Sequence, residues 1–175
     1  MCIFILFYVL YMSIMKVKIG IIGDSISLGY GLAPEEESYV DLLVKLDLFE
    51  VSVFAKCGND LDTVFNDLNL ISKGADIWII FLGTNGCIER EKLLSIIQYF
   101  KTIENHIIVC NLMIDSENNT IIYSIPIEEG IIICDLKKQS KNKEELLQKD
   151  NIHPNIKGHR VIFNELLRII NLWEI

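Results

Sequence analysis

The chain has 175 residues, 51% of them apolar and 23% charged, with a formal net charge of −8. That is a globular composition and the length of one domain, able to bury about 70% of its unfolded surface without a disulfide or metal staple. The acidic balance argues against nucleic acid as a partner, because a phosphate backbone calls for a basic face. Five Cys, an odd number with no C-x-x-C pair, argue against a disulfide framework and a zinc ribbon and leave reduced thiols in a cytoplasmic chain as the expectation.

Residues 1–14 are apolar and uncharged. They fall short of the roughly 20 residues a spanning helix needs, and they lack the basic start and small-residue cleavage site of a secretory signal. They read as a leader outside a single domain over 15–175, so no stable membrane insertion is expected. An exported or membrane-anchored chain is the alternative if the leader is real. Residues 17–22 form a β-branched apolar run that stops at Gly23, the pattern of a buried first strand. Helical spacing follows over 36–48 through Tyr39, Val40, Leu42, Leu43 and Leu46. A short strand is expected at 51–55, and a helix over 60–71 with Leu61, Val64, Phe65 and Leu68 on one face. A third, wholly apolar strand spans 76–82, and a helix follows over 89–104. Strands at 106–112 and 130–134 and a long amphipathic helix over 155–172 complete the pattern.

Strands without polar alternation, separated by helices, imply a parallel sheet covered on both faces. The fold class is therefore α/β, a three-layer α/β/α sandwich around a five-stranded parallel sheet with flavodoxin-like winding. Ligands of such sheets sit outside the carboxyl ends of the strands. There the sequence places Gly23-Asp24-Ser25-Ile26-Ser27, then Lys56-Cys57-Gly58-Asn59, then Gly83-Thr84-Asn85-Gly86, and near the end Asp150-Asn151-Ile152-His153-Pro154-Asn155. A hydroxyl, a glycine turn, a side-chain amide and an Asp/His pair are the inventory of nucleophilic acyl transfer.

These blocks resemble the SGNH hydrolase superfamily of GDSL-type esterases, lipases and acyl-thioesterases. GDSIS is similar to its first block, Gly58 stands for its second, GTN for its third and DNIHPNIKGH for its last, over nearly the whole chain from Lys16. The resemblance implies Ser25 as nucleophile, His153 as base and Asp150 as its orienting carboxylate. It implies an oxyanion hole made of the Ser25 N–H, the Gly58 N–H and the Asn85 side chain. Ser25, at a strand-to-helix turn, is expected to gain from a helix N-terminus. Two departures stand out. Gly86 replaces the Asp that usually follows the third-block Asn, which leaves the support of that loop open. Ala55, Lys56 and Cys57 replace the usual Asn and Ser before the second-block Gly, so Gly86 is an alternative source of a close backbone N–H.

The implied activity is a serine hydrolase cleaving carboxylic esters or thioesters of small acyl groups through an acyl-enzyme. It needs no cofactor and no metal, its partner is a small-molecule substrate, and nothing in the sequence settles an oligomeric state. A catalytically weakened or inactive binding protein on the same fold is the alternative, motivated by Gly86. Asp24 reads as a supporting residue that hydrogen-bonds neighbouring loops. Ser27 reads as a helix-start residue, His106 as structural, and His159 as a surface or packing residue. Cys57 and Cys87 border the oxyanion loops, where buried thiols are the common case and a redox switch the rarer one. Residues 137–149 read as a solvated charged helix or loop, and Asn118-Asn119-Thr120 as a sequon meaningful only on secretion. Residues 113–129 are either a cover over the site or an ordinary crossover.

Overall fold

The computed structural model describes residues 16–102, 105–126, 130–140 and 143–173. The expectation of a leader at 1–14 lies outside the described residues. Five parallel strands, β1 (Val17–Gly23), β2 (Phe49–Ala55), β3 (Ile77–Phe81), β4 (His106–Cys110) and β5 (Ile131–Cys134), pair in the order β2-β1-β3-β4-β5. The register sets Gly23 beside both Ala55 and Phe81, so the loops that follow β1, β2 and β3 leave the sheet side by side. This is the five-stranded parallel sheet expected from the uninterrupted apolar runs.

Helices cover both faces. On one, α1 (Tyr39–Lys45) and α7 (Ile156–Ile170) bury Tyr39, Leu43, Ile162, Leu166 and Ile169 against Ile19, Ile21, Ile79 and Ile108. On the other, α2 (Leu61–Asp67), α3 (Arg90–Phe100) and α4 (Glu117–Tyr123) bury Val64, Ile96, Phe100 and Ile122 against Ile22, Trp78, Ile80 and Val109. Successive residues of β3 point to opposite layers, which is why both parities had to be apolar. Each such side chain contributes about 1.5–3 kcal/mol by leaving water. Two short helices, α5 (Leu136–Gln139) and α6 (Lys143–Leu146), lead from β5 towards α7.

Element boundaries moved where side chains cap the backbone. The helix expected over 36–48 starts only at Tyr39, because Ser38 and Asp41 form a reciprocal capping box. It ends before Asp47, whose φ of 57° is left-handed. The helix expected over 60–71 is shorter: Asp60 caps it by accepting from the Thr63 N–H at 2.8 Å, and residues Leu68–Leu70 tighten into a 3₁₀ turn. The helix expected over 89–104 stops at Phe100, whose carbonyl accepts from the Asn105 amide at 2.6 Å; residues 103–104 are not described. The segment 113–129 contains α4, and the charged run 137–149 carries α5 and α6 among its described residues.

Candidate active site

The turn after β1 presents Ser25. Contrary to expectation no helix begins there: residues 24–31 are a chain of turns, with the Leu28 N–H donating to the Asp24 carbonyl and the Tyr30 N–H to the Ser25 carbonyl. The Asp24 carboxylate accepts from the Ile26 N–H at 2.9 Å. Ser27 is not a helix start either; its buried hydroxyl lies 2.6 Å from the Tyr39 hydroxyl and ties the turn to α1. Ser25 itself is 6% exposed.

The loop 147–155 brings the other two members of the set. Ser25 Oγ lies 2.9 Å from His153 Nε2, and His153 Nδ1 lies 2.7 Å from Asp150 Oδ2. The other Asp150 oxygen accepts from the Ile152 and His153 N–H groups at 2.9 and 3.0 Å. Partial burial pulls the Asp150 carboxyl upward, but the Ile152 N–H, followed by the imidazole and the His153 N–H, prevails and lowers it below the usual carboxylate range. An ionised carboxylate on Nδ1 fixes the tautomer that leaves Nε2 free to accept the serine proton. Asn151, at φ 57°, turns the chain between them, and Asn155 caps α7 by accepting from Lys157 and Gly158 N–H groups.

The second and third blocks meet beside this turn. The Asn59 amide donates to the Gly23 carbonyl at 3.0 Å, and the Asn85 amide donates to the Asn59 carbonyl at 3.1 Å. Asn59 thus stitches the block that lacks the usual Asn and Ser to the end of β1. Gly58 and Gly86 have φ of 82° and 70°, left-handed values costly for other residues. Beyond its chain neighbours, no atom stands within 4 Å of where a Gly58 Cβ would lie, so that side of the turn is open.

The support left open by Gly86 comes from α4. The buried Asn118 side chain donates to the Gly83 and Gly86 carbonyls at 2.8 and 3.0 Å and accepts from the Ile88 N–H at 2.8 Å. It lies one turn before buried Ile122 on the same face of α4, and a polar residue on an apolar stripe is the signal that would have singled it out. With its amide fully engaged, Asn118 is no glycosylation acceptor in the folded chain.

Asp24 is wholly buried and its carboxyl is raised, chiefly by that burial. Its Oδ1 is held within its own turn by the Ile26 N–H, while Oδ2 and the nearby Thr84 hydroxyl are buried without a hydrogen-bond partner. His106 stacks on Trp173 at 4.2 Å, a structural role. His159 is a packing residue, 1% exposed, accepting from the Tyr39 N–H; burial holds its pKa down at about 4. Cys57 and Cys87 are exposed rather than buried, whereas Cys110 and Cys134 are buried and face each other across β4 and β5. Two neighbours of the site carried no sequence signal. The Tyr30 ring packs on the His153 imidazole with centroids 4.7 Å apart, and Gln148 bridges the two loops.

Residues Gly86, Cys87 and Ile88 face Ser116, Glu117 and Ile121 across a cleft of about 620 Å³, so residues 116–121 of the segment 113–129 wall a cleft beside the Asn85 loop. Among the described residues no group of three or more His, Cys, Asp or Glu is placed to hold a metal ion. Among them, too, no helix is long and apolar enough to cross a membrane.

No family model and no curated protein matches the sequence. Solved structures do. A member of the lipolytic protein G-D-S-L family from Veillonella parvula superposes with a TM-score of 0.72 at 16% identity, over 89% of this chain and 99% of the other. A lipase from a goat rumen metagenome gives 0.70 at 19% identity over 87% and 97%. An acetylxylan esterase from Geobacillus stearothermophilus gives 0.70 at 19% over 89% and 95%. The match runs through whole domains, and the chain has the fold of the SGNH, or GDSL-type, hydrolases.

Proposed function

We propose that the protein is a serine hydrolase that cleaves carboxylic esters or thioesters of small acyl groups through an acyl-enzyme. The observation that carries this reading is the relay from Ser25 Oγ to His153 Nε2 at 2.9 Å and from His153 Nδ1 to Asp150 at 2.7 Å, at the carboxyl end of the sheet. His153 takes the serine proton as Oγ attacks the acyl carbonyl, and Asp150 stabilises the imidazolium that forms. The oxyanion is received by the Ser25 N–H, the Gly58 N–H and the Asn85 amide. Asn85 exchanges its bond to the Asn59 carbonyl for one to the substrate oxygen. His153 then protonates the leaving group, and water, activated by the same imidazole, releases the acid.

The neighbours in fold are esterases and lipases, which supports ester hydrolysis as the chemistry. Leu28, Tyr30 and Ile152 are exposed in the loops that carry Ser25 and His153, an open setting that suits small acyl groups, and Gly86, which lines the cleft, follows Asn85 in the chain. The bonds from Asn118 to the Gly83 and Gly86 carbonyls support the active reading over an inactive binding protein, since the loop left without its Asp is held from α4. The experiment is a panel of esters from acetyl to long acyl, with acyl-thioesters and acetylated sugars, run on the native chain and on Ser25→Ala. Turnover of short esters abolished in the variant is expected; turnover unchanged in Ser25→Ala refutes the assignment.

A further inference from the structure

We propose that Gln148 is a positioning residue that sets the distance between the nucleophile and its base. The inference rests on the hydrolase reading of Ser25 and His153. These two residues are 128 positions apart and belong to separate loops, and the only bond between their own atoms is Oγ to Nε2 at 2.9 Å. A side chain-to-side chain bond of that kind does not hold two loops in register. Gln148 supplies the missing frame. Its N–H donates to the His153 carbonyl at 2.8 Å and its carbonyl accepts from the Asn151 N–H at 3.0 Å, which places it in the base loop. Its side-chain amide donates to the Pro154 carbonyl at 3.0 Å and, across the gap, to the Tyr30 carbonyl at 2.7 Å. The Tyr30 N–H in turn donates to the Ser25 carbonyl at 3.0 Å, and the Tyr30 ring lies on the imidazole. The circuit Ser25–Tyr30–Gln148–His153–Ser25 is therefore closed by four hydrogen bonds, with the Tyr30–His153 ring contact running across it.

A second observation is independent of those bonds. Gly31 has φ of 80°, and a Cβ there would overlap the Gln148 carboxamide. The nucleophile loop is thus shaped to admit this side chain. The chemistry fits Gln in particular: one planar amide offers two N–H donors to two carbonyls. Asn falls one methylene short of spanning both, and Glu offers no donor. Because reactive geometry must be held to about half an ångström, and a 1 Å misplacement can cost about a hundredfold in rate, loss of the clamp should lower kcat ten- to hundredfold while leaving KM within about threefold.

The deciding measurement does not depend on turnover. In the native chain, Ser25→Ala should shift the ring signals of His153 in NMR, because Oγ contacts Nε2. In a Gln148→Met background, which keeps the side chain's length without its donors, that response should fall at least threefold, while the His153–Asp150 proton signal persists. A response of native size in Gln148→Met overturns the proposal. Should that variant fail to fold, Gln148→Asn, which reaches one carbonyl only, is expected to give an intermediate response, and a native one overturns the proposal equally. A kinetic cycle adds a readout that a merely structural role would not move. Gln148→Met should cost less than threefold in kcat once His153→Ala has removed the base that it positions, whereas independent losses would multiply. Failure of the hydrolase reading shows separately, as a native chain inert towards esters and fluorophosphonate with the His153 response intact.

Discussion

Replacing Asn118 by Ala tests whether α4 supports the third-block loop. The side chain makes three hydrogen bonds, at 2.8, 2.8 and 3.0 Å, to groups of residues 83–88, and it is 8% exposed. A net worth near 1 kcal/mol for each bond makes the loss about 3 kcal/mol, since water has little access to repair the exposed carbonyls. For a domain of this size that corresponds to a fall in Tm of about 6–12 °C. Asn118→Asp is the sharper control. It keeps the acceptor for the Ile88 N–H but turns a carboxylate towards the Gly83 and Gly86 carbonyls, so it should be at least as damaging. The assay is thermal and urea unfolding, with turnover per phosphonate-titratable site measured in parallel, because Asn85 rides on the same loop. A loss below about 1 kcal/mol with turnover unchanged would refute the argument that Asn118 holds this loop.

Three further outcomes follow from the same geometry. Gly86→Asp, which restores the residue usual in the resembled family, should destabilise the chain by about 1 kcal/mol or more and should not raise activity. The position has φ of 70°, and its Cβ would sit 3.6 Å from that of Asp60; adding Asp60→Asn should recover part of the loss in urea unfolding. Asn85→Ala should lower kcat about a hundred- to thousandfold with little change in Tm, as expected for one lost oxyanion donor. His159 should make stability depend on pH. Its folded pKa of about 4 lies below the ordinary 6.5, so the unfolded chain binds the extra proton between these values. The contribution is complete above about pH 6.5 and is lost progressively as pH falls to about 4, on the order of 3 kcal/mol in all. Urea titrations of His159→Gln should show a flatter profile over that window; the same slope in the variant would remove His159 as the cause. Asp24, with its raised pKa, works in the opposite sense at the lower end of the range.

The layers of the fold were legible because a parallel sheet buried on both faces leaves an unmistakable mark, strands such as Ile77–Phe81 with no polar residue at either parity. The site was legible for a related reason: the chain returns each strand to the same edge, so short motifs after β1 and β3 and before α7 had to converge. What stayed hidden was set by side chain-to-backbone bonds, which carry no periodicity. The turn at Ser25 looks like a helix start in sequence, and the Asp24 carboxylate accepts from the Ile26 N–H as an N-cap does, yet the backbone bonds that follow close successive turns and not a helix. Ser38 and Asp41 fix where α1 starts through their capping box. Gln148 sits in a charged run that reads as solvated surface, and only the fold brings it against Tyr30. Cys57 and Cys87 are exposed because the loops they border lie outside both helical layers.

Ser25 carries the proposed chemistry as its nucleophile. The most direct measurement is reaction of the native chain with a fluorophosphonate followed by peptide mass spectrometry. The relay to His153 and Asp150 predicts a single adduct on Ser25, lost in Ser25→Ala and slowed in His153→Ala. An adduct on another residue, or a folded native chain that takes no label, would contradict it.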